Sequence, residues 1–387
     1  MPKILCRLLF FTSLCLISCS EDVVLPEYDK FLVEKETIRL QLDSITPVDN
    51  TYFTFETIND TGFLFLINSI YNSIDVYRQD NGQFYKRFKF EKQGPEGIAQ
   101  LQGYTVVNAD SIFVFGKFHI AHTKIIDWQG NFRALQPVSL QTARDYPIIN
   151  HLSASGGYTY LHNNKLYFTT FTLLDDKNPD NFNSDIKFEY CYDLSKDTLT
   201  LMPFTYPEDY WDRTQPRFAA NPYRDKGEGE QFVYSWPKEP YLIKWDYDTN
   251  KISQHSAHDP RIEPLIPQDM MHRPTPEEEM QVGVEHAFYM RILYDKYRKL
   301  YYRIAFLPIE FDKNRHTSYT ANFERPFAVL VLHENFQPIA LRVFETINIY
   351  NAYSAFVGTD GLYIAKNNPN REDLNEDVLE LSIFELQ

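Results

Sequence analysis

One unit recurs along most of this chain: an apolar alternating strand, a short polar turn, and a second strand. It occupies residues 73–88, 123–135, 187–201, 241–253 and 327–341. Each copy is preceded by a further apolar run, at 62–67, 111–115, 164–169, 231–235 and 299–304. Alternation with period two, bounded by Asp, Asn and Gly, is the mark of half-buried strands joined by tight turns. Self-similarity at a fixed spacing is the mark of a radial or stacked array. A sixth apolar run at 361–365 is followed by 378–386, which ends the chain with no strand after it. Residues 36–43 supply an unpaired strand at the other end. Placing that strand beside the last one closes a ring and removes an exposed edge.

The spacing therefore predicts an all-β fold, a six-bladed β-propeller closed by an N-terminal strand and spanning residues 30–387. Three stretches exceed the repeat and read as insertions: 175–186, 205–230 and 257–290. A pair of β-sandwiches would also use such strands, but no shift in composition marks a linker between two domains. The aromatic content agrees, because the 30 Phe, 27 Tyr and 4 Trp suit pleated, half-buried surfaces.

The first residues have a separate logic. Lys3 and Arg7 precede a run of about ten mostly apolar residues, too short to span a bilayer but long enough for a signal peptide. Leu16-Ile17-Ser18-Cys19 follows, an apolar pair, a small residue and a cysteine. That order fits lipidation of the Cys19 thiol and cleavage just before it. Residues 1–18 read as a lipoprotein signal peptide and 19–29 as a tether. Lipid chains at roughly 0.8 kcal/mol per buried methylene then anchor the protein without a transmembrane helix. Ser20-Glu21-Asp22 resembles the acidic signal that displays lipoproteins on the outer face of the outer membrane in Bacteroidota. The expected location is the outer membrane, facing the cell surface. The net charge of -15 becomes -17 once residues 1–18 are removed. An acidic chain lacks the cationic footprint that nucleic acid requires.

Lys92-Gln93-Gly94-Pro95-Glu96-Gly97, followed by the run 107–114, carries a resemblance. With the lipobox, it makes residues 28–387 similar to a family of uncharacterised Bacteroidota lipoproteins with a propeller-like domain. The resemblance implies fold and address and brings no activity with it.

Candidate binding residues fall in two places. Gln93 and Glu96 flank a glycine-rich turn between blades one and two. The turn lacks the lysine and strand–helix context of a phosphate cradle, so it reads as structural, with a role at a mouth of the ring as the alternative. Tyr210, Trp211, Arg213, Arg217, Tyr223 and Arg224 crowd the 205–230 insertion. Aromatics beside arginine suit sugar rings or a protein partner, and equally suit packing between blades.

Asp246-x-Asp248-x-Asn250 opens like a calcium loop but lacks the later glycine and glutamate, and reads as a turn. His255 and His258 have no third ligand at zinc spacing. Thr275-Pro276 followed by three glutamates reads as a helix start, covering the ring or forming a lid over one mouth. Cys191, at alternating spacing, reads as a small core residue. No serine elbow, HExxH, paired CxxC or dinucleotide fingerprint occurs, so neither cofactor nor metal is expected.

Three functions follow. The first is a monomeric, surface-anchored domain binding a glycan, peptide or envelope protein. The second is a hydrolase or lyase working at the axial mouth, which buried, perturbed acids around a deep pocket would favour. The third is a structural subunit of an envelope complex.

Overall fold

The computed structural model describes residues 25–117, 123–135, 151, 153, 157–170, 186–207, 210, 219–263, 275–345 and 348–387. It contains six four-stranded antiparallel sheets. Blade one holds β2 (Phe53–Ile58), β3 (Thr61–Asn68), β4 (Ser73–Arg78) and β5 (Phe84–Lys89). Blade two holds β6 (Leu101–Asn108), β7 (Ser111–Gly116), β8 (Lys124–Ile126) and β9 (Phe132–Leu135). Blade three holds β10 (Tyr160–His162), β11 (Lys165–Thr169), β12 (Glu189–Asp193) and β13 (Thr198–Leu201). Blade four holds β14 (Tyr223–Lys226), β15 (Gln231–Ser235), β16 (Tyr241–Asp246) and β17 (Lys251–Ser256). Blade five holds β18 (Phe288–Asp295), β19 (Leu300–Phe306), β20 (Phe327–His333) and β21 (Pro338–Phe344). Blade six holds β22 (Phe356–Gly358), β23 (Gly361–Ala365) and β24 (Val378–Leu386), and β1 (Leu32–Gln41) completes it from the other end of the chain. The fold is a six-bladed β-propeller.

The middle strands read as near-continuous apolar runs because both faces are covered by neighbouring blades. All seven residues of β19 are buried. One apolar cluster lies between each pair of adjacent blades. Phe65 and Val76 of blade one meet Tyr104 and Val114 of blade two, for example. Burying such a side chain is worth about 1.5–3 kcal/mol, so the ring is held by its inter-blade seams. Tight turns use left-handed Asn and Asp, as at Asn59-Asp60 and Asn163-Asn164.

β1 runs antiparallel to β24 from Leu32 opposite Leu386 to Gln41 opposite Val378, with a bulge between Glu34 and Glu36. Leu32 and Leu40 are buried. Glu34 Oε1 accepts hydrogen bonds from Lys366 Nζ (3.0 Å) and Ser382 Oγ (2.7 Å), and Oε2 accepts one from Tyr350 OH (2.9 Å). Partial burial opposes ionisation of Glu34, but these donors prevail and bring its pKa down to about 2. The end of the expected tether is docked. Tyr28 OH donates to Asp259 Oδ2 (2.6 Å), and Arg261 Nη2 donates to the Pro26 carbonyl (3.2 Å).

Two insertion boundaries need correction. Residues 223–226 belong to β14, the innermost strand of blade four, and not to a loop. Their Tyr-Arg-Asp-Lys sequence carries no apolar signal because this strand faces the ring axis. Residues 288–290 likewise open β18. The helix expected after Thr275 forms as α1 (Pro276–Glu285). Thr275 Oγ1 accepts from Glu278 N (3.2 Å) and Glu278 Oε2 accepts from Thr275 N (2.7 Å), a complete capping box. Arg325 donates to the carbonyls of Gly283 and His286, satisfying the helix end.

Candidate functional site: the axial cavity

The innermost strands of all six blades enclose a cavity of about 670 Å3. Its wall includes Phe53, Phe55 and Glu56 from β2, Tyr104 from β6, and Tyr158 and Tyr160 at β10. Asp225 and Lys226 from β14, Tyr294 from β18, and Phe356 from β22 complete it. The rim is built by the turns after β14 and β18, Gly227–Glu230 and Lys296–Tyr297. Gly229 has φ +68°, a conformation that glycine adopts without cost.

The side chains facing the axis are fixed by packed neighbours. Tyr158 packs against the core between blades one and two and against that between five and six. Its ring lies 5.7 Å from Tyr52, and Arg291 donates to its hydroxyl. Tyr160 OH donates to Asp225 Oδ1, while Asp225 Oδ2 accepts from the Tyr294 amide (2.7 Å). Behind this layer Arg224 Nη1 spans both oxygens of Glu189 (2.8 and 2.7 Å), and Arg224 Nη2 donates to the Tyr158 carbonyl. Both charges are wholly buried.

The cavity thus mixes aromatic faces with four acids, Glu56, Asp225, Glu228 and Glu230, and two lysines, Lys226 and Lys296. Burial pushes the Glu56 carboxyl up to about 7, and the Lys296 ammonium offsets this only in part. Burial also raises Asp225, against the hydrogen bonds that favour its charged form. Glu56 therefore exchanges its proton near neutrality, the condition for acid–base work. The linkage has a definite sign. Folded Glu56 keeps its proton up to about pH 7, whereas an unfolded glutamate releases it near pH 4.3. Its contribution to stability is fully present below the unfolded value and is lost as pH rises through 7. Glu56→Gln cannot ionise. Its thermal midpoint should gain on the wild type between pH 5 and pH 8, by an amount equivalent to about 1–3 kcal/mol. A gap that does not change with pH would refute the assignment.

At the rim, His162 from the end of β10, Glu230, and Asp248 from the β16–β17 turn place potential ligand atoms within 4.8 Å of one another.

A family model described as a domain of unknown function, DUF4221, matches residues 29–339. The chain belongs to the DUF4221 family. A DUF4221 member from Bacteroides vulgatus superposes with a TM-score of 0.74 at 21% identity, over 92% of this chain and 98% of its own. A putative exported protein from Bacteroides fragilis gives 0.52 at 12% identity, over 95% and 97%. At such identities the likeness speaks to the fold. None of the curated proteins compared with the chain matches it.

In this DUF4221 propeller the expected site residues that are described do not converge on the cavity. Gln93 and Glu96 are exposed on the loop that enters β6, and neither lines the cavity. Gly94 has φ +96° and accepts from the Gly97 amide (3.0 Å), and Lys124 Nζ donates to the Pro95 carbonyl (2.8 Å). The loop is a fixed turn. Tyr210 is buried, stacked on Tyr206, and donates to the Ala219 carbonyl (2.7 Å). Tyr223 packs beside two inter-blade cores, and Arg224 is locked to Glu189. Trp211, Arg213 and Arg217 lie outside the described residues. Helix α1 packs on the 3-10 turn Tyr319–Glu324 and does not line the cavity.

His255 meets Ser253 (2.9 Å) on β17, and His258 meets Ser256 (3.3 Å). Asp246 accepts from the Thr249 amide (2.8 Å) within the expected turn. Cys191 is buried against Tyr167 and Phe232 of an inter-blade core. Sequence reading named the axial mouth but missed the residues that line it, because the wall is contributed two to six residues at a time. The available signal was polar or aromatic residues on the strand before each apolar run, such as Glu56 and Asp225.

Proposed function

We propose that the chain is an exported, lipid-anchored propeller that binds a saccharide of one or two rings in its axial cavity. The cavity itself carries the reading: about 670 Å3, drawn from all six blades, is in the range of small-ligand sites. Tyr294, Tyr297 and Phe55 offer faces for ring stacking, while Asp225, Glu228 and Lys296 offer acceptors and donors for hydroxyls. The test is calorimetric titration with a panel of mono- and disaccharides and, in parallel, tetrapeptides. A saccharide is expected to bind, and Tyr297→Ala should weaken it at least tenfold. Tyr297 is 41% exposed, so the variant should keep its thermal midpoint. Binding of peptides alone would overturn the saccharide reading.

One observation favours a second reading, a hydrolase or lyase. Glu56, poised near neutrality beside Lys296, is an acid–base pair facing the same space. Turnover of a bound saccharide that Glu56→Gln abolishes would establish it.

The anchoring part of the proposal rests on Leu16 to Cys19 and the acidic residues after it. The description of the Bacteroides fragilis neighbour as exported agrees. Cys19→Ala is expected to move the protein from the membrane fraction to the soluble fraction. Retention in the membrane after this change would sink the lipoprotein assignment. Protease accessibility on intact cells then separates surface display from a periplasmic orientation.

A further inference from the structure

We propose that His162, Glu230 and Asp248 bind one divalent transition-metal ion, with Zn2+ the best match, at the rim of the axial cavity. The three side chains come from separate elements of blades three and four. Their ligand atoms nevertheless lie within 4.8 Å of one another. Tetrahedral zinc with bonds near 2.0–2.2 Å sets its ligand atoms about 3.3 Å apart, so small side-chain movements complete the site. One imidazole nitrogen with two carboxylates is a borderline donor set, suited to zinc more than to magnesium or calcium.

The local contacts suit a cation. His162 Nε2 touches Glu230 Oε2. The same Nε2 also lies 2.6 Å from the Asn163 amide nitrogen, a donor. A proton on Nε2 suits Glu230 and opposes Asn163, and its removal does the reverse. One ring nitrogen cannot satisfy both. A metal ion between Nε2 and Oε2 resolves the conflict with Glu230, and Asn163 swings away.

A buried aromatic adjoins the cluster: Tyr247 is 5% exposed, and its ring lies 5.2 Å from that of His162.

Three protein ligands leave a coordination position open, as in catalytic rather than structural zinc sites. Glu230 also lines the cavity, so that open position lies at the mouth. Metal binding does not depend on what the cavity holds, and its test needs no saccharide.

The experiment uses the mature chain, tag-free and stripped with a chelator, titrated calorimetrically with Zn2+ and separately with Ca2+. One equivalent of Zn2+ is expected, with a rise in thermal midpoint and visible d–d absorption when Co2+ replaces it. His162→Ala and Asp248→Asn should each weaken Zn2+ binding at least tenfold. Asp248 is exposed on a surface turn, so Asp248→Asn should fold normally and show an unchanged metal-free midpoint. It is also the decisive variant, because a simple His162–Glu230 ion pair has no need of Asp248. Absence of stoichiometric Zn2+ binding, wild-type affinity in Asp248→Asn, or binding of Ca2+ alone would each overturn the proposal.

Discussion

Removal of residues 30–43 should lower the thermal midpoint by more than 10 °C or leave no soluble monomer. The deletion takes away β1, which pairs along the full length of β24. It also removes the buried side chains of Leu32 and Leu40. Each such loss in a packed core costs about 2–5 kcal/mol. The Glu34 carboxylate goes too, leaving Lys366 Nζ without its carboxylate partner. β24 then becomes a nine-residue edge with four consecutive buried residues in Ser382–Phe384 and Leu381. An exposed apolar edge of that length recruits other chains. The effect is not local, because the sixth blade packs on both the first and the fifth. Thermal melts and size-exclusion chromatography measure the outcome. A synthetic peptide of residues 30–43, added in excess, should restore monomer and midpoint by reoccupying the edge. An unchanged midpoint in the truncated protein, or a peptide without effect on a destabilised one, would show that β1 does not close the ring.

β1 was legible in the sequence for the same reason that it matters. A strand at 36–43 without a partner and another at 378–386 without a partner can satisfy their backbones on each other. The middle strands were equally plain. Residues 111–115 and 231–235 are apolar because two blades cover them, and that pattern survives without knowledge of the neighbours. The innermost strands were not plain. β14 reads Tyr-Arg-Asp-Lys because Arg224 points into a buried ion pair and Asp225 into the axis. Neither partner, Glu189 or Tyr160, is near in sequence. The Tyr and Arg cluster at 205–230 suits a binding surface and packing between blades equally. Tyr210 takes the packing role, filling an aromatic core with Tyr206 and Trp236. Aromatic composition alone does not separate a ligand platform from an inter-blade seam. Asp248 shows the same limit. Its turn was judged against a linear calcium motif, whereas its neighbours are His162 and Glu230, 86 and 18 residues away.

Breaking the Arg224–Glu189 pair should have the second largest effect, and its pH dependence should reveal which partner was lost. Both side chains have no exposed surface, so each charge depends on the other. Thr169 Oγ1 donates to Glu189 (2.7 Å), and the Arg224 guanidinium lies 4.4 Å over the Phe232 ring. Removing one member of such a pair strands a buried charge and costs about 3–5 kcal/mol. For a domain this size that is roughly 4–7 °C in midpoint. Glu189→Gln leaves an arginine that cannot release its proton and removes a carboxyl whose pKa burial raises, so its deficit against wild type should be no larger at pH 8 than at pH 5. Arg224→Met leaves a carboxyl that escapes by taking up a proton. Its folded pKa then lies above the unfolded value, so stability present in acid is lost as pH rises. The midpoint of Arg224→Met should therefore fall further below wild type at pH 8 than at pH 5. The double change Arg224→Met with Glu189→Leu removes both charges and should recover most of the loss, as apolar replacement of buried pairs can. Arg224 also holds the Tyr158 carbonyl, and Tyr158 packs against the core between blades one and two and that between blades five and six. A double variant that regains its midpoint but binds cavity ligands less well would separate the two roles of this arginine, bracing two blades and fixing the cavity wall. Equal pH behaviour of the two single variants would mean that Glu189 is not the charge that Arg224 neutralises.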